Sequence, residues 1–242
     1  MKIIRTKDYD EMSKVACDLV SEKVKQVKNA VLGLATGSTP EGMYACLIEK
    51  NKRGDVSFKD VTTFNLDEYL GLAEENPNSY HYYMKENFFK HIDISMDNTH
   101  LPKGIVDDLE EECRRYDALI ESVGGIDLQI LGLGTNGHIA FNEPGSPFDG
   151  KTSVVDLTQD TIDANSRFFE KIEDVPTQAI TMGIGTIMKA KEIIMLVSGE
   201  AKAEALAKTI NGEVSEEVPS SVLQHHPNVT IIADEAALSL VE

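Results

Sequence analysis

The segment 132–145, with the sequence GLGTNGHIAFNEPG, holds the densest group of residues that could carry out acid–base chemistry. Its glycines allow the backbone to approach a ligand closely, and they present His138 among polar neighbours. Imidazole titrates near neutral pH, so His138 can both accept and donate a proton. Glu143 lies five residues further on and can orient His138 or share its work. A lone histidine is more often structural, but this setting predicts a catalytic one.

Two adjacent carboxylates, Asp67 and Glu68, follow the apolar run 61–64. A carboxylate held at the end of a strand can act as a general base toward a C–H proton. Acidic residues are also common at the start of a helix, where they interact favourably with the helix dipole. Residue types alone leave both interpretations open, and they do not decide which of the two carboxylates would be the base.

A hydroxyl-rich turn, 36–40 (TGSTP), directly follows the apolar run 31–35. Gly37 permits a tight turn, Thr39 is predicted to cap the next helix, and Pro40 suits the first helical position. Free N–H groups and hydroxyls at the positive end of a helix form an anion site. An ordinary capped turn is the alternative. The turn is neither a Walker A loop nor a GxGxxG motif, so it does not indicate a nucleotide.

Two basic residues complete the candidate groups. Arg167 lies in the segment NSRFF, and Lys202 lies in SGEAK, which follows the apolar run 193–197. Both residue types suit phosphate, arginine through its forked guanidinium and lysine as a point charge. The alternative for each is a solvated surface cation.

Apolar runs and amphipathic stretches alternate along the chain, which predicts alternating strands and helices. Several runs lack polar–apolar alternation, as expected for strands covered on both faces. The pattern therefore favours an α/β fold, a single domain over residues 1–242 with a doubly wound, mainly parallel sheet flanked by helices. Ligands collect at the carboxyl ends of such strands, where most of the candidate groups lie. The predicted strands are 31–35, 61–66, 128–133, 193–197 and 229–233, with short additions at 3–4 and 179–182; the predicted helices are 12–27, 78–89, 107–123 and 200–210.

The composition excludes several classes of function. The chain of 242 residues has 41 acidic and 23 basic residues and a net charge of −18, which repels nucleic-acid phosphates and anionic lipid. No apolar run approaches the length of a membrane span, and the first residues contain no apolar stretch long enough for a signal peptide, so neither is expected. Cys17, Cys46 and Cys113 are far apart and form no CxxC motif, so free buried thiols in the reducing cytoplasm are expected rather than disulfides or zinc.

Seven segments, in order between about residues 30 and 230, resemble the glucosamine-6-phosphate deaminase family. The combination of NLDEY with GHIAFNEP is the most specific part of this resemblance. The family fold is a parallel α/β sheet similar to a modified Rossmann fold, which agrees with the pattern above. The segments are LGLATGSTPEGMY, TTFNLDEYLGL, NPNSYHYYM, LGLGTNGHIAFNEPG, ANSRFF, TMGIGTIMKAKEI and SGEAKAEAL.

The resemblance implies a role for each candidate residue. Asp67 matches the carboxylate that moves a proton between C1 and C2, His138 the imidazole that assists ring opening, and Glu143 its carboxylate partner. Asn136 stands where some members have aspartate; it can orient His138 by hydrogen bonding but carries no charge. The resemblance assigns the substrate phosphate to Thr36, Gly37, Ser38, Thr39, Arg167 and Lys202.

The implied reaction converts glucosamine 6-phosphate and water into fructose 6-phosphate and ammonia. One group that titrates near pH 7 and one rigid carboxylate are sufficient for its proton transfers, so no cofactor and no metal are expected. The partner is a small sugar phosphate, held by a remote phosphate handle that positions the reacting carbons.

Two rival functions remain. The 6-phosphogluconolactonase family is similar in fold and phosphate loop, but its Gly-rich GH segment continues with different residues. A non-catalytic sugar-phosphate sensor can share the fold, although such domains usually accompany a basic helix-turn-helix. The segments 65–69 and 139–144 favour the deaminase over the lactonase, and the presence of Asp67, His138 and Glu143 favours catalysis over a sensor.

The resemblance also bears on regulation and assembly. Allosterically activated family members are hexamers with basic residues shortly after the NEP motif, where this chain has Ser153 and Val155. We therefore expect no activation by N-acetylglucosamine 6-phosphate, a monomer rather than a homo-oligomer, and a cytoplasmic location.

Overall fold

The computed structural model describes residues 1–166, 169, 171 and 174–241. Within them the chain alternates between strands and helices. The strands are β1 Lys2–Thr6, β2 Val31–Leu34, β3 Thr62–Asn65, β4 Asp67–Tyr69, β5 Thr99–His100, β6 Leu128–Leu131, β7 Ser153–Asp156, β8 Gln178–Thr181, β9 Ile193–Val197 and β10 Val229–Asp234. The α-helices are α1 Tyr9–Gln26, α2 Glu41–Lys52, α3 Tyr80–Asn87, α4 Leu109–Ser122, α5 Gln159–Ser166, α6 Ile184–Ile187 and α7 Ala203–Asn211.

Seven strands form one parallel sheet in the order β1-β10-β9-β6-β2-β3-β5. All residues of its strands β9 and β10 are buried, which requires cover on both faces. The expected α/β fold with a doubly wound, mainly parallel sheet is therefore confirmed, and the predicted strands and helices appear within a few residues of their expected ends. Short 3-10 helices at Phe89–His91, Met96–Asn98, Glu200–Lys202 and Pro219–His225 supplement the α-helices.

Side-chain caps fix the starts of three helices. Asp8 accepts a hydrogen bond from the Glu11 N–H at the start of α1, and Asp108 does the same for Glu111 at the start of α4. Ser79 accepts from the Tyr82 N–H at the start of α3. Each cap satisfies a donor that the helix itself leaves unpaired.

A second, smaller sheet was not expected from the sequence. It is antiparallel, with the order β4-β8-β7, and its register pairs Asp67 with Thr181. A strand of three residues is too short to give a period-two signal, which is why residues 67–69 looked like a loop. A small apolar cluster that includes Tyr69, Leu157 and Ala179 packs under this sheet.

The cysteine prediction is wrong for two of the three residues. Cys17 on α1 and Cys46 on α2 form a disulfide with a Cα–Cα distance of 6.0 Å, whereas Cys113 is a buried free thiol. The two cysteines are 29 residues apart in sequence, but α1 and α2 lie side by side and bring them together. Separation along the chain therefore gave no warning of the pair.

Among the described residues, no helix combines the length and apolar character needed to cross a bilayer.

Candidate active site

The candidate loops meet at one edge of the main sheet. The turn 36–39 follows β2, Asp67 follows β3, and the segment 132–143 follows β6; these three strands are neighbours in the order β6-β2-β3. Lys202 follows β9, the neighbour of β6 on its other side. Because all of these strands are parallel, their carboxyl ends lie together. Arg167 lies outside the described residues.

The turn 36–39 leaves the start of α2 without a side-chain cap. Pro40 is the N-cap residue and makes no side-chain cap hydrogen bond; the Gly42 N–H in the first turn donates instead to the Tyr9 hydroxyl at 2.9 Å. The expectation that Thr39 caps this helix is therefore wrong, because the helix begins one residue later than the sequence suggested. Gly37 has φ of 88°, the left-handed conformation that glycine adopts without strain. The N–H groups of Ser38 and Thr39, just before this helix start, donate to no acceptor among the described residues and stay available to an anion.

Asp67 is the most perturbed acid that faces this edge. Its side chain is buried, with 6% exposure, and burial raises the pKa of Asp67 to about 8, with the charge of Glu68 as the second cause. Desolvation disfavours the ionised form, and a neighbouring like charge adds to this effect. A carboxylate in this state binds a proton far more tightly than an ordinary aspartate, so it is a stronger base once ionised.

Glu68 has a different environment, although it is the next residue. Its carboxylate is buried at 1% exposure and accepts from the N–H groups of Tyr69, Tyr80 and His81 at 2.8, 3.0 and 2.9 Å. The His81 ring nitrogen Nδ1 lies 2.7 Å from the same carboxylate. Successive residues of a strand point to opposite sides, which explains why Glu68 anchors the start of α3 while Asp67 does not.

His138, Asn136 and Glu143 form a hydrogen-bonded group. The Asn136 side-chain N–H donates to the Glu143 carboxylate at 2.6 Å, so the Asn136 oxygen must face His138, where it lies 2.8 Å from Nδ1. Glu143 lies 3.2 Å from the same Nδ1. Two acceptors at Nδ1 assign the proton of neutral His138 to that nitrogen and leave Nε2 with a free lone pair.

Glu143 is held in its ionised form. Burial acts to raise the pKa of Glu143, but hydrogen bonds from His138 and Asn136, together with the charge of His138, outweigh burial and lower the pKa below its usual value. An ionised Glu143 stabilises the imidazolium that forms when His138 accepts a proton.

The backbone of this loop has two unusual features. Gly134 lies directly beneath the His138 ring, and a Cβ at residue 134 would come within 2.3 Å of the ring nitrogen Nδ1. Ala140 has φ of 52°, a left-handed conformation that costs a residue with a Cβ some free energy. The side-chain amide of Asn142 donates to the carbonyls of Ile139 and Met182 and holds this strained turn in place.

Tyr80 joins the three loops. Its hydroxyl donates to the Tyr69 hydroxyl at 3.0 Å, and the nearby Thr36 side chain acts to lower the pKa of Tyr80 against the larger rise caused by burial. Its ring lies parallel to that of Phe141, with centroids 6.3 Å apart. The turn 36–39, strand β4 and the His138 loop therefore surround one aromatic side chain, so they lie on the same side of the molecule.

Lys202 is half-buried, and burial lowers the pKa of its amine. In the described part of the chain no carboxylate lies within ion-pair distance of Lys202, so its charge is available to a ligand. Among the same residues no group of three histidine, cysteine or acidic side chains is arranged to hold a metal ion.

Sequence reasoning did not identify Tyr80, His81 or the anchoring role of Glu68. These residues lie in the segments NLDEY and NPNSYHYYM, which carried the family resemblance without an assigned role. The alternation of side chains along β4 would have separated Asp67 from Glu68, but it depends on recognising that three-residue strand.

Comparisons with known proteins agree with one another. The profile of the family described as glucosamine-6-phosphate isomerases/6-phosphogluconolactonase matches residues 7–232. A glucosamine-6-phosphate deaminase of Thermoanaerobacter pseudethanolicus is 58% identical over 241 residues, which span 100% of this chain and 95% of that protein. A solved structure described as a monomeric glucosamine-6-phosphate deaminase superposes with a TM-score of 0.96 at 48% identity, covering 99% of this chain and 100% of the other. The 6-phosphogluconolactonase of Trypanosoma cruzi shares the fold, with a TM-score of 0.79 at 22% identity over 99% of this chain and 96% of its own.

Proposed function

Because the chain belongs to the family of glucosamine-6-phosphate isomerases and 6-phosphogluconolactonases, we propose that Asp67, His138 and Glu143 perform the proton transfers of a glucosamine-6-phosphate deaminase. The reaction converts glucosamine 6-phosphate and water into fructose 6-phosphate and ammonia. The observation that carries the assignment of these residues is the meeting of three loops around Tyr80: an anion turn, a buried carboxylate and an oriented imidazole.

The phosphate handle comes first. The N–H groups and hydroxyls of the turn 36–39 bind the phosphate next to the start of α2, and Lys202 supplies a charge. Arg167 is proposed as a second cation. The net charge of −18 does not attract an anionic substrate, so local donors must supply the affinity. Binding at this remote point positions C1 and C2 of the sugar for the chemistry.

Ring opening is the task of His138. The cyclic substrate must lose the proton of the O1 hydroxyl and gain one on O5, and Nε2 of His138 can serve both transfers. The side-chain oxygens of Asn136 and Glu143 lie 2.8 and 3.2 Å from Nδ1 and accept its proton. These contacts fix the orientation of the ring, so that Nε2 can accept and donate the proton of the substrate. The ionised Glu143 stabilises His138 while it carries the extra proton.

The isomerisation is the task of Asp67. Its carboxylate takes the C2 proton of the open-chain aldehyde while the protonated 2-amino group gives one proton to O1, which yields an enolamine. Asp67 then returns its proton to C1, which leaves a protonated imine at C2 and a hydroxyl on C1. Water adds to this imine and ammonia departs, so the product is the ketose. The protonated 2-amino group of the substrate brings a positive charge close to Asp67 and favours its ionised form.

Ammonium release from glucosamine 6-phosphate tests this proposal, and hydrolysis of 6-phosphogluconolactone tests the rival function in the same preparation. We expect ammonium and fructose 6-phosphate in equal amounts and no lactone hydrolysis above the spontaneous rate. Lactone hydrolysis without ammonium release would reverse the assignment. Tight binding of glucosamine 6-phosphate without turnover would instead indicate a sensor.

We also propose that the chain acts as a monomer. The structure with the TM-score of 0.96 is described as monomeric, which supports this proposal, and light scattering after gel filtration tests it. One chain has a mass of 26.6 kDa, and a measured mass of twice that value or more would contradict the proposal. A cytoplasmic location stays a prediction, because the argument from reduced thiols no longer applies to Cys17 and Cys46.

A further inference from the structure

Tyrosine hydroxyls hold carbonyl groups in the turn 36–39 and in Ala35, the residue before it. Tyr44 donates to the carbonyl of Ala35 at 2.6 Å, Tyr83 to that of Gly37 at 2.7 Å, and Tyr9 to that of Ser38 at 2.9 Å. The three tyrosines come from different helices, α2, α3 and α1. The turn is therefore fixed from outside, through its backbone, by side chains without an assigned role.

Because the peptide bond is planar, a contact that holds a carbonyl also fixes the direction of the next residue's N–H group. In a trans peptide the N–H of a residue points opposite to the carbonyl of the residue before it. When Tyr83 and Tyr9 hold the carbonyls of residues 37 and 38, the N–H groups of Ser38 and Thr39 point away from the two tyrosines. Within the described residues neither of these N–H groups donates to an acceptor, so both are free for an anion.

Tyr9 also connects the turn to the helix that follows it. Its hydroxyl accepts from the Gly42 N–H at 2.9 Å while it donates to the Ser38 carbonyl. Residue 42 must be glycine for this contact, because a Cβ there would lie 2.4 Å from the Ser13 hydroxyl and 3.1 Å from the Tyr9 ring. One hydroxyl thus fixes the turn relative to the start of α2.

We propose that the hydroxyl groups of Tyr9 and Tyr83 are positioning groups that orient the N–H donors of Ser38 and Thr39 toward the substrate phosphate. This inference rests on the proposed phosphate role of the turn 36–39. Without the hydroxyls, the Gly37 carbonyl loses its partner and the Ser38 carbonyl keeps only the longer hydrogen bond from the Glu41 N–H at 3.4 Å, so the N–H groups of Ser38 and Thr39 are held less firmly in direction. Phosphate binding must then restore that order, which costs affinity. The groups that react at C1 and C2 are untouched.

The test uses Tyr9→Phe, Tyr83→Phe and the double variant, each of which keeps the ring and removes one oxygen. Loss of one such hydrogen bond corresponds to roughly a three- to tenfold effect. We expect KM for glucosamine 6-phosphate and the inhibition constant of inorganic phosphate to rise together by about that factor in each single variant, and further in the double variant. The turnover number kcat stays within about twofold of the wild type, because only a remote handle is loosened.

Tyr82→Phe is the matched control. Tyr82 neighbours Tyr83 on α3, and its hydroxyl makes no hydrogen bond to any described residue, so its removal leaves both constants unchanged. If inorganic phosphate fails to compete with substrate on the wild-type enzyme, the phosphate role of the turn is wrong and the inference falls with it. If phosphate competes but Tyr9→Phe and Tyr83→Phe behave like Tyr82→Phe, only the inference is overturned. A fall in kcat at constant KM would overturn it as well.

Discussion

Replacement of Asp67 by asparagine is expected to abolish turnover and to stabilise the protein at the same time. The pKa of this carboxyl is raised from 3.8 to about 8 by burial and by the charge of Glu68. The folded chain therefore holds a proton that the unfolded chain has released between these two pH values. Stability is lost as the pH rises through this window, because each step in pH favours the state with fewer protons.

The size of the effect follows from the width of the window. One pH unit corresponds to 1.36 kcal/mol, so the full interval of about 4 units sets an upper limit of about 5–6 kcal/mol above pH 8. At pH 5.5 only about 2 kcal/mol of this cost has developed. Asparagine cannot ionise, so Asp67→Asn should gain up to about 3 kcal/mol over the wild type between pH 5.5 and pH 9.

Urea unfolding at pH 5.5, 7 and 9 measures this gain directly. Asp60→Asn provides the control, because Asp60 is exposed and its replacement makes the same chemical change without altering a buried carboxyl. Substrate affinity should survive in Asp67→Asn, since the phosphate contacts remain, while ammonium release falls by several orders of magnitude. Identical unfolding curves for Asp67→Asn and wild type at pH 9 would refute the argument from burial. Retained turnover would separately refute the assignment of the base.

Three further substitutions test other parts of the site. Glu68→Gln removes the like charge beside Asp67, so the pKa of Asp67 falls and the acid limb of the kcat/KM profile moves to lower pH; an unmoved limb would show that burial alone sets this pKa. Asn136→Ala removes one of the two acceptors at His138 Nδ1, and a loss of about 1 kcal/mol predicts roughly a fivefold lower kcat with little change in KM, measured by initial rates. An unchanged kcat would leave the orientation of His138 to Glu143 alone. Lys202→Met removes the charge that we propose contacts the phosphate, so KM and the inhibition constant of phosphate should both rise about tenfold or more; equal constants in variant and wild type would show that Lys202 does not bind the phosphate.

The sequence was sufficient for the architecture of the main sheet and for the loops that meet at its edge. Apolar runs such as 193–197 predict buried strands without reference to the rest of the chain. In a parallel sheet, ligands bind at the carboxyl ends of such strands, so the position of the site follows from them. The small antiparallel sheet was beyond its reach, because β4 is short and pairs with β8 more than a hundred residues away. That pairing decides which side Asp67 and Glu68 face. The disulfide was missed for a similar reason, since it depends on how α1 lies against α2.

The positions of the tyrosine hydroxyls could not be predicted either. Tyr9, Tyr44 and Tyr83 are scattered through three helices, and each acts on backbone carbonyls, which leave no trace in the sequence. A tyrosine on an amphipathic helix looks the same whether its hydroxyl meets water or a distant turn. Only the packing of α1, α2 and α3 around the turn separates Tyr83 from its neighbour Tyr82.

The disulfide between Cys17 and Cys46 encloses β2 and the whole turn 36–39 in one covalent ring. A closed ring of about 30 residues has far fewer unfolded conformations than an open chain, which on a chain-entropy argument stabilises the fold by about 3–4 kcal/mol. The start of α1 carries Tyr9. In the unfolded chain the ring also limits the distance between the residues that begin α1 and those that begin α2. The oxidised unfolded chain therefore keeps the turn 36–39 on a closed ring and Tyr9 within a short stretch of chain of it, whereas the reduced chain has no such covalent constraint.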